Sequence, residues 1–153
     1  MLKQSAIGKQ ERENELMKNG YPAYTTASGW LGYSNEKMID LCKKYQEKKF
    51  DAFKIKIGQD LQRDKERCKI MRDTIGNESV LMVDSNQIFD VQEAIDWVIA
   101  LKDFKILWIE EPTSPDDVLG HKIIAEALKK YDIKVATGEM MCNRVMFKQF
   151  MQA

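Results

Sequence analysis

Lys54, Lys56, Asp84, Glu110 and Glu139 are the residues whose types and spacing could do chemistry. They stand at or just beyond the ends of short apolar runs: Phe-Lys-Ile-Lys-Ile-Gly, Leu-Met-Val-Asp-Ser-Asn, Leu-Trp-Ile-Glu-Glu-Pro and Val-Ala-Thr-Gly-Glu. From Lys56 through Asp84 and Glu110 to Glu139 the intervals are 28, 26 and 29 residues. Three carboxylates with no histidine form a hard, oxygen-only donor set, which suits Mg²⁺ completed by water and substrate oxygens. Asp84, Glu110 and Glu139 are therefore the expected metal ligands. One acidic residue after a strand is more often a helix cap or an ion-pair partner, but three in consecutive units beside two lysines shift the balance to function. Lys54 and Lys56 are two apart, so on a strand they share a face. Phe53, Ile55 and Ile57 form the opposite, apolar set, which turns the lysines away from any helix layer. There a second ammonium and a divalent cation favour the uncharged amine of Lys56, the form that acts as a base on a carbon acid beside a carboxylate. The metal would stabilise the charge of the resulting enediolate.

The elements that must position these groups follow one grammar from Tyr24 onward: a β-rich run, a loop, then an amphipathic stretch of helix length. Strands are expected at Tyr24–Thr26, Phe53–Ile57, Val80–Val83, Ile106–Ile109 and Lys134–Thr137. Ser34 can cap a helix with Met38, Leu41, Cys42 and Tyr45 on one face, and Asp60 a helix with Leu61, Cys68, Met71 and Ile75, closed by Gly76. Asp90 and Glu93 read as a capping box before Ala94, Trp97, Val98 and Leu101. A helix bearing Ile124, Ala127, Leu128 and Tyr131 follows Pro115, and Asn143 caps a last one with Phe147 and Phe150. Five βα units imply an α/β fold with parallel strands, and one chemical group per unit at this spacing fits the first five units of a TIM-type (β/α) barrel. Residues 1–20 read as a charged helical lead-in and residues 21–153 as the partial barrel domain.

Composition narrows the partners. Lys and Arg number 24 and so do Asp and Glu, so no bulk field attracts nucleic acid or an anionic membrane. No apolar run approaches the roughly 20 residues of a spanning helix. Met1–Glu15 is polar with no secretory h-region, and Met1–Lys18 holds several acidic residues, unlike a transit peptide. The expected setting is intracellular, cytoplasmic or mitochondrial. Cys42, Cys68 and Cys142 lack CxxC spacing, and the first two read as small core hydrophobes. His121, the only histidine, reads as a solvated or capping residue at a helix start.

Several stretches carry a resemblance: Gly-Tyr-Pro-Ala-Tyr-Thr-Thr (20–26), Trp-Leu-Gly-Tyr-Ser (30–34), Lys-Ile-Lys-Ile-Gly (54–58), Asp-Ser-Asn-Gln (84–87), Trp-Ile-Glu-Glu-Pro-Thr-Ser-Pro-Asp-Asp-Val-Leu-Gly-His (108–121) and Asn-Arg-Val-Met-Phe-Lys-Gln (143–149). The sequence resembles the L-fuconate dehydratase family of the enolase superfamily, whose barrel is of the mandelate racemase type and whose sites pair a Lys or His base with Mg²⁺. The resemblance implies that Lys56 abstracts the proton α to the substrate carboxylate, that Lys54 binds that carboxylate, and that Asn86 contacts substrate. It implies Mg²⁺ on Asp84, Glu110 and Glu139, with Glu139 also near substrate and Glu111 facing away or supporting the loop into Pro112. The implied reaction is dehydration of L-fuconate to 2-keto-3-deoxy-L-fuconate. Ile88 and Phe89 stand where the family has Arg-Trp, and Met140 and Met141 where it has polar residues. On the same resemblance the family's Asp-His dyad and most of its capping domain lie outside these residues. The chain is then expected to be a fragment, inactive alone, that self-associates through open barrel edges. Two other readings are an epimerase or dehydratase of another acid sugar, and a non-catalytic remnant acting by association. No strand is followed by GxGxxG or GxxxxGK[ST], so nucleotide binding is disfavoured.

Overall fold

A computed structural model describes residues 6–153 of the chain. Helix α1 (Lys9–Asn19) buries none of its side chains. Then come β1 (Thr25–Gly29), α2 (Asn35–Glu47), β2 (Ala52–Lys56), α3 (Leu61–Ile75), β3 (Val80–Asp84), α4 (Val91–Leu101), β4 (Ile106–Glu110), α5 (Val118–Leu128), β5 (Lys134–Ala136) and α6 (Arg144–Gln152). The strands form one sheet in the order β1-β2-β3-β4-β5, every pairing parallel. Sequential order and a helix after each strand match the expected βα grammar. Among the described residues no helix is long and apolar enough to cross a membrane.

The elements begin and end where local chemistry dictates. Ser34 and Asp60 accept hydrogen bonds from the amides of Lys37 and Arg63, and Asn143 from those of Val145 and Met146. Each satisfies donors that the first turn of a helix leaves without partners. Gly76 closes α3 at φ 81°, where a Cβ would be strained. The capping box expected at Asp90 is not made, since its side chain accepts no capping bond. The core lies between the sheet and the helices: Phe53, Ile55, Leu81, Val83 and Ile109 pack against Met38, Cys42, Cys68, Met71, Val98, Leu101, Ile124 and Leu128. Cys42 and Cys68 are free and buried, as expected, and burial pushes the Cys68 thiol up to about 12.

Two irregularities set which side chains face away from that core. In β4, Ile106 and Ile109, three apart, oppose Leu81 and Val83, two apart. The extra residue is a bulge: both isoleucines face the helices, while Trp108 and Glu110 face the other way. In β1, Thr25 and Gly29, four apart, oppose Phe53 and Ile55. Gly29 lies so close to β2 that a Cβ there would collide with the carbonyl oxygen of Lys54 and the Cα of Ile55. Gly29→Ala is therefore expected to destabilise the chain by about 1–3 kcal/mol, the cost of overpacking, read as a lowered urea midpoint with unchanged m value. An unchanged midpoint would mean that β1 can move aside freely.

Candidate active site

The C-terminal ends of β2, β3 and β4 meet in one row. Lys56 pairs in register with Asp84, Asp84 with Glu110, and Glu110 with Ala136. Parallel neighbours lie about 4.8 Å apart, so the side chains of such a row can touch. One position inward, Lys54 pairs with Met82 and Trp108 with Lys134. Lys54 and Lys56 share the face opposite the core, as their spacing predicts.

Asp84 gathers both lysines. Its Oδ2 accepts from Lys56 Nζ at 2.6 Å and lies 3.0 Å from Lys54 Nζ, while its Oδ1 accepts from the Asn86 amide at 3.1 Å. Lys54 Nζ also donates to Glu110 Oε1 at 2.5 Å, and Lys56 Nζ to Asn86 Oδ1 at 2.7 Å. The side chains of Asp84 and Lys54 are 1% and 6% exposed, that of Lys56 16%. Burial works against the charge of Lys54, but the hydrogen bonds and charges of Glu110 and Asp84 outweigh it and hold the ammonium above the usual lysine range. Aromatic rings flank the pair, with Lys54 Nζ 5.3 Å from the Tyr24 ring centroid and Lys56 Nζ 5.6 Å from that of Trp30.

The loop after β3 reaches Asn86 and Gln87 through two left-handed residues, φ 46° and 67°. It is held by the residue after β4. Glu111 is buried, accepts from Gln87 Nε2 at 2.9 Å, and offers its carbonyl to the Gln87 amide and the Ser85 hydroxyl. Glu111 thus supports the loop, and Glu110 faces the row. Glu139 lies beyond β5 on an exposed stretch and lines, with Tyr24, Trp108 and Glu110, a cleft of about 390 Å³. Asp84 and Glu110 stand together. Among the described residues, however, no three His, Cys, Asp or Glu side chains cluster tightly enough to hold a metal, so Glu139 does not join them here. The donor chemistry still fits a hard divalent cation: adjacent carboxylates whose oxygens already take up positive charge, from the lysine ammoniums, in an all-oxygen setting.

One expectation is corrected in part. His121 lies in the first turn of α5, as expected, but is 4% exposed and neither solvated nor the capping residue. Its Nδ1 lies 2.8 Å from the Asp117 carbonyl oxygen and its ring meets Phe150 edge-on at 5.0 Å, because Asp117 takes the cap by accepting from the Gly120 amide. Phe89 is buried against Trp97, with ring centroids 4.8 Å apart, away from the mouth, where only the half-exposed Ile88 remains. Met140 is likewise half exposed.

Asp64 and Arg67, both buried on α3 beneath the row, stand outside the spacing pattern of the strand ends. Arg67 Nη1 donates to the Lys56 carbonyl at 2.6 Å, and Nη2 to the carbonyls of Gly29 and Trp30 at 3.0 Å each. Asp64 accepts from the Gly58 amide at 2.7 Å and from Trp97 Nε1 at 3.2 Å, and lies 3.5 Å from Arg67 Nη1. Burial raises the Asp64 carboxyl above its usual range and lowers the Arg67 guanidinium below its own, each against the pull of its partners. The available signal was a charged residue at the core-facing phase of α3, three after Leu61 and four before Cys68.

Comparison with known proteins agrees with this geometry. A family model described as Enolase C-terminal domain-like matches residues 37–153. The chain is 52% identical over 153 residues to mitochondrial enolase superfamily member 1 of Homo sapiens, covering 100% of this chain and 34% of that protein. The crystal structure of that human protein superposes with a TM-score of 0.93 over 99% of this chain and 34% of the other. L-galactonate dehydratase of Hypocrea jecorina is 49% identical over 152 residues, 97% of this chain and 34% of the relative. L-talarate/galactarate dehydratase of Salmonella typhimurium LT2, crystallised with Mg and L-lyxarohydroxamate, is 31% identical, with a TM-score of 0.77 over 84% of this chain and 32% of that one. The chain spans about a third of the length of these relatives, and its five parallel βα units are an arc of their β/α barrel.

Proposed function

The chain belongs to the Enolase C-terminal domain-like family of the enolase superfamily, and on that premise we propose that it carries the base and metal portion of a Mg²⁺-dependent acid-sugar dehydratase acting on L-fuconate to give 2-keto-3-deoxy-L-fuconate. The observation that carries this reading is the in-register row Lys56, Asp84 and Glu110, with Lys54 behind it. The two lysines divide the work by environment. Lys54, between two carboxylates that raise its pKa, stays charged and offers a fixed positive group to the substrate carboxylate. Lys56 is more exposed, stands at the strand end facing Asn86, and is the group that takes the proton from the carbon α to that carboxylate. The ammonium so formed is held by Asp84 Oδ2 and Asn86 Oδ1, the partners seen here at 2.6 and 2.7 Å. Asn86 also contacts substrate, and Glu139 closes the other wall of the cleft. Asp84, Glu110 and Glu139 would hold Mg²⁺, which when bound supplies Lewis-acid stabilisation of the charge that develops on the carboxylate oxygens.

Self-association belongs to the same proposal. Among the described residues the outer edges of β1 and β5 pair with no further strand, and such edges recruit other chains.

The test is Mg²⁺-dependent formation of a 2-keto-3-deoxy acid from L-fuconate, L-galactonate and related acid sugars, followed by trapping the ketone. No product is expected from the chain alone; where self-association completes a site, fastest turnover of L-fuconate is expected. Exchange of the α proton in deuterated water without loss of water would replace dehydration by epimerisation. Neither reaction from a folded, self-associated chain would remove catalysis by this chain.

A further inference from the structure

We infer that Arg67 is the positioning residue of the proposed base, setting Lys56 and the Trp30 ring that flanks it from the helix layer beneath. This inference rests on the assignment of Lys56 as the base.

The parallel strands end at the mouth of the arc, where the last carbonyls of β1 and β2 point past the sheet and need donors from elsewhere. Arg67 supplies them. One guanidinium donates to the carbonyl of Lys56 itself, the last residue of β2, and to the carbonyls of Gly29 and Trp30, where β1 gives way to its loop. Two of the three residues whose carbonyls it holds, Lys56 and Trp30, have side chains that meet above it, Nζ standing 5.6 Å from the indole centroid. A planar fork with several donors in fixed directions can set two chain segments relative to each other, as a single ammonium cannot. Arg67 is 2% exposed, so the guanidinium has little freedom to shift. Its near neighbour Asp64 extends the control to the next turn by accepting from the Gly58 amide, two residues past Lys56, and from Trp97 on α4. The strand end that carries the base is thereby held at Lys56 and at Gly58 by one buried base and one buried acid on α3.

A role confined to holding the fold would make Arg67 one contributor to stability among many. A positioning role predicts that loss of Arg67 frees Lys56 Nζ from Asp84 and Asn86 specifically. The direct readout is the rate at which an amine-acylating reagent labels each lysine, followed by peptide mass spectrometry, with exposed Lys69 as internal reference. In Arg67→Met, labelling at Lys56 is expected to rise about tenfold relative to Lys69, the rate equivalent of one charged hydrogen bond. Arg67→Lys should give an intermediate rise, since it restores the charge without the fork. Leu128→Ala, a core truncation remote from α3, should lower stability and leave the Lys56 rate unchanged. Should Arg67→Met not fold, Arg67→Lys alone decides: faster labelling at Lys56 supports the inference and wild-type labelling overturns it. An unchanged Lys56 rate in a folded Arg67→Met variant, or an equal rise in Leu128→Ala, would also overturn it. With a substrate that the wild-type chain turns over, Arg67→Lys should lower kcat and leave KM unchanged. Absence of turnover in the wild type would count against the functional reading and leave the labelling result to decide the role of Arg67.

Discussion

Replacing Lys56 with alanine is expected to lower exchange of the α proton of L-fuconate in deuterated water by about 10²–10⁴-fold, the range that general acid–base groups supply, measured by loss of the proton signal in NMR. The substitution removes the only lysine of the row that combines a strand-end position with access to the mouth. It should disturb the fold little, because the side chain is partly exposed and Asp84 keeps its contact with Lys54 at 3.0 Å. Lys54 cannot take over. It is bound between Asp84 and Glu110, and those carboxylates hold it in the charged form. Exchange that survives Lys56→Ala within a few fold of the wild-type rate would remove Lys56 as the base, whatever the overall reaction.

The second large effect is on stability. Asp84→Asn keeps the shape of the side chain and removes the charge that compensates two ammonium groups, one of them nearly inaccessible to water. Breaking a buried pair from one side costs about 3–5 kcal/mol, since the remaining charge loses its partner without regaining solvent. Glu110 still bonds Lys54, so the lower end of that range is expected, read by urea denaturation at pH 7. The pH dependence has a definite sign. The folded pKa of Lys54 lies above its unfolded value, so its contribution is fully present below about pH 10.4 and is lost only as pH rises through the folded value. The gap between wild type and variant should therefore be flat from pH 7 to about 9.5 and close above that range. Stabilisation by added Mg²⁺, a linkage effect of binding to the folded state, should also be lost in the variant. A variant as stable as the wild type would mean that the lysines re-form their contacts around Glu110 alone.

Much of this arrangement is legible in the sequence. The strands β2, β3 and β4 fall within a residue of their expected spans, because a parallel strand covered by helices reads as an apolar run. Lys54 and Lys56 share a face because they are two apart. Strand β1 was harder: Tyr24–Thr26 was expected and Thr25–Gly29 found, since Ala-Ser-Gly has little strand character and Gly29 belongs there only because β2 passes so close. His121 follows Gly120 and reads as a helix start, yet Asp117 opens the helix earlier and carries the imidazole inside. Arg67 and Asp64 resemble surface charges in composition, and what they hold is backbone carbonyls and an amide, groups with no letter in a sequence. Glu139 shows the converse limit. Its place in the series of spacings is regular, but the loop that carries it is open, and regular spacing does not specify distance across a cleft.

The bulge in β4 turns the facing of its side chains into a matter of parity. Were Ile106–Glu110 an unbroken alternation beginning with Ile106 toward the helices, Glu110 would point into the apolar layer and Glu111 would take its place in the row. One surplus residue decides which of two adjacent, chemically identical glutamates sits beside Asp84 and which braces a loop. Along this strand the pairing register, more than the identities of the residues between the isoleucines, thus assigns the two carboxylates. Exchanges among Ile, Leu and Val can be absorbed, whereas straightening the bulge with the same five residues would keep every charge and motif in the sequence and still swap the two carboxylates between their tasks.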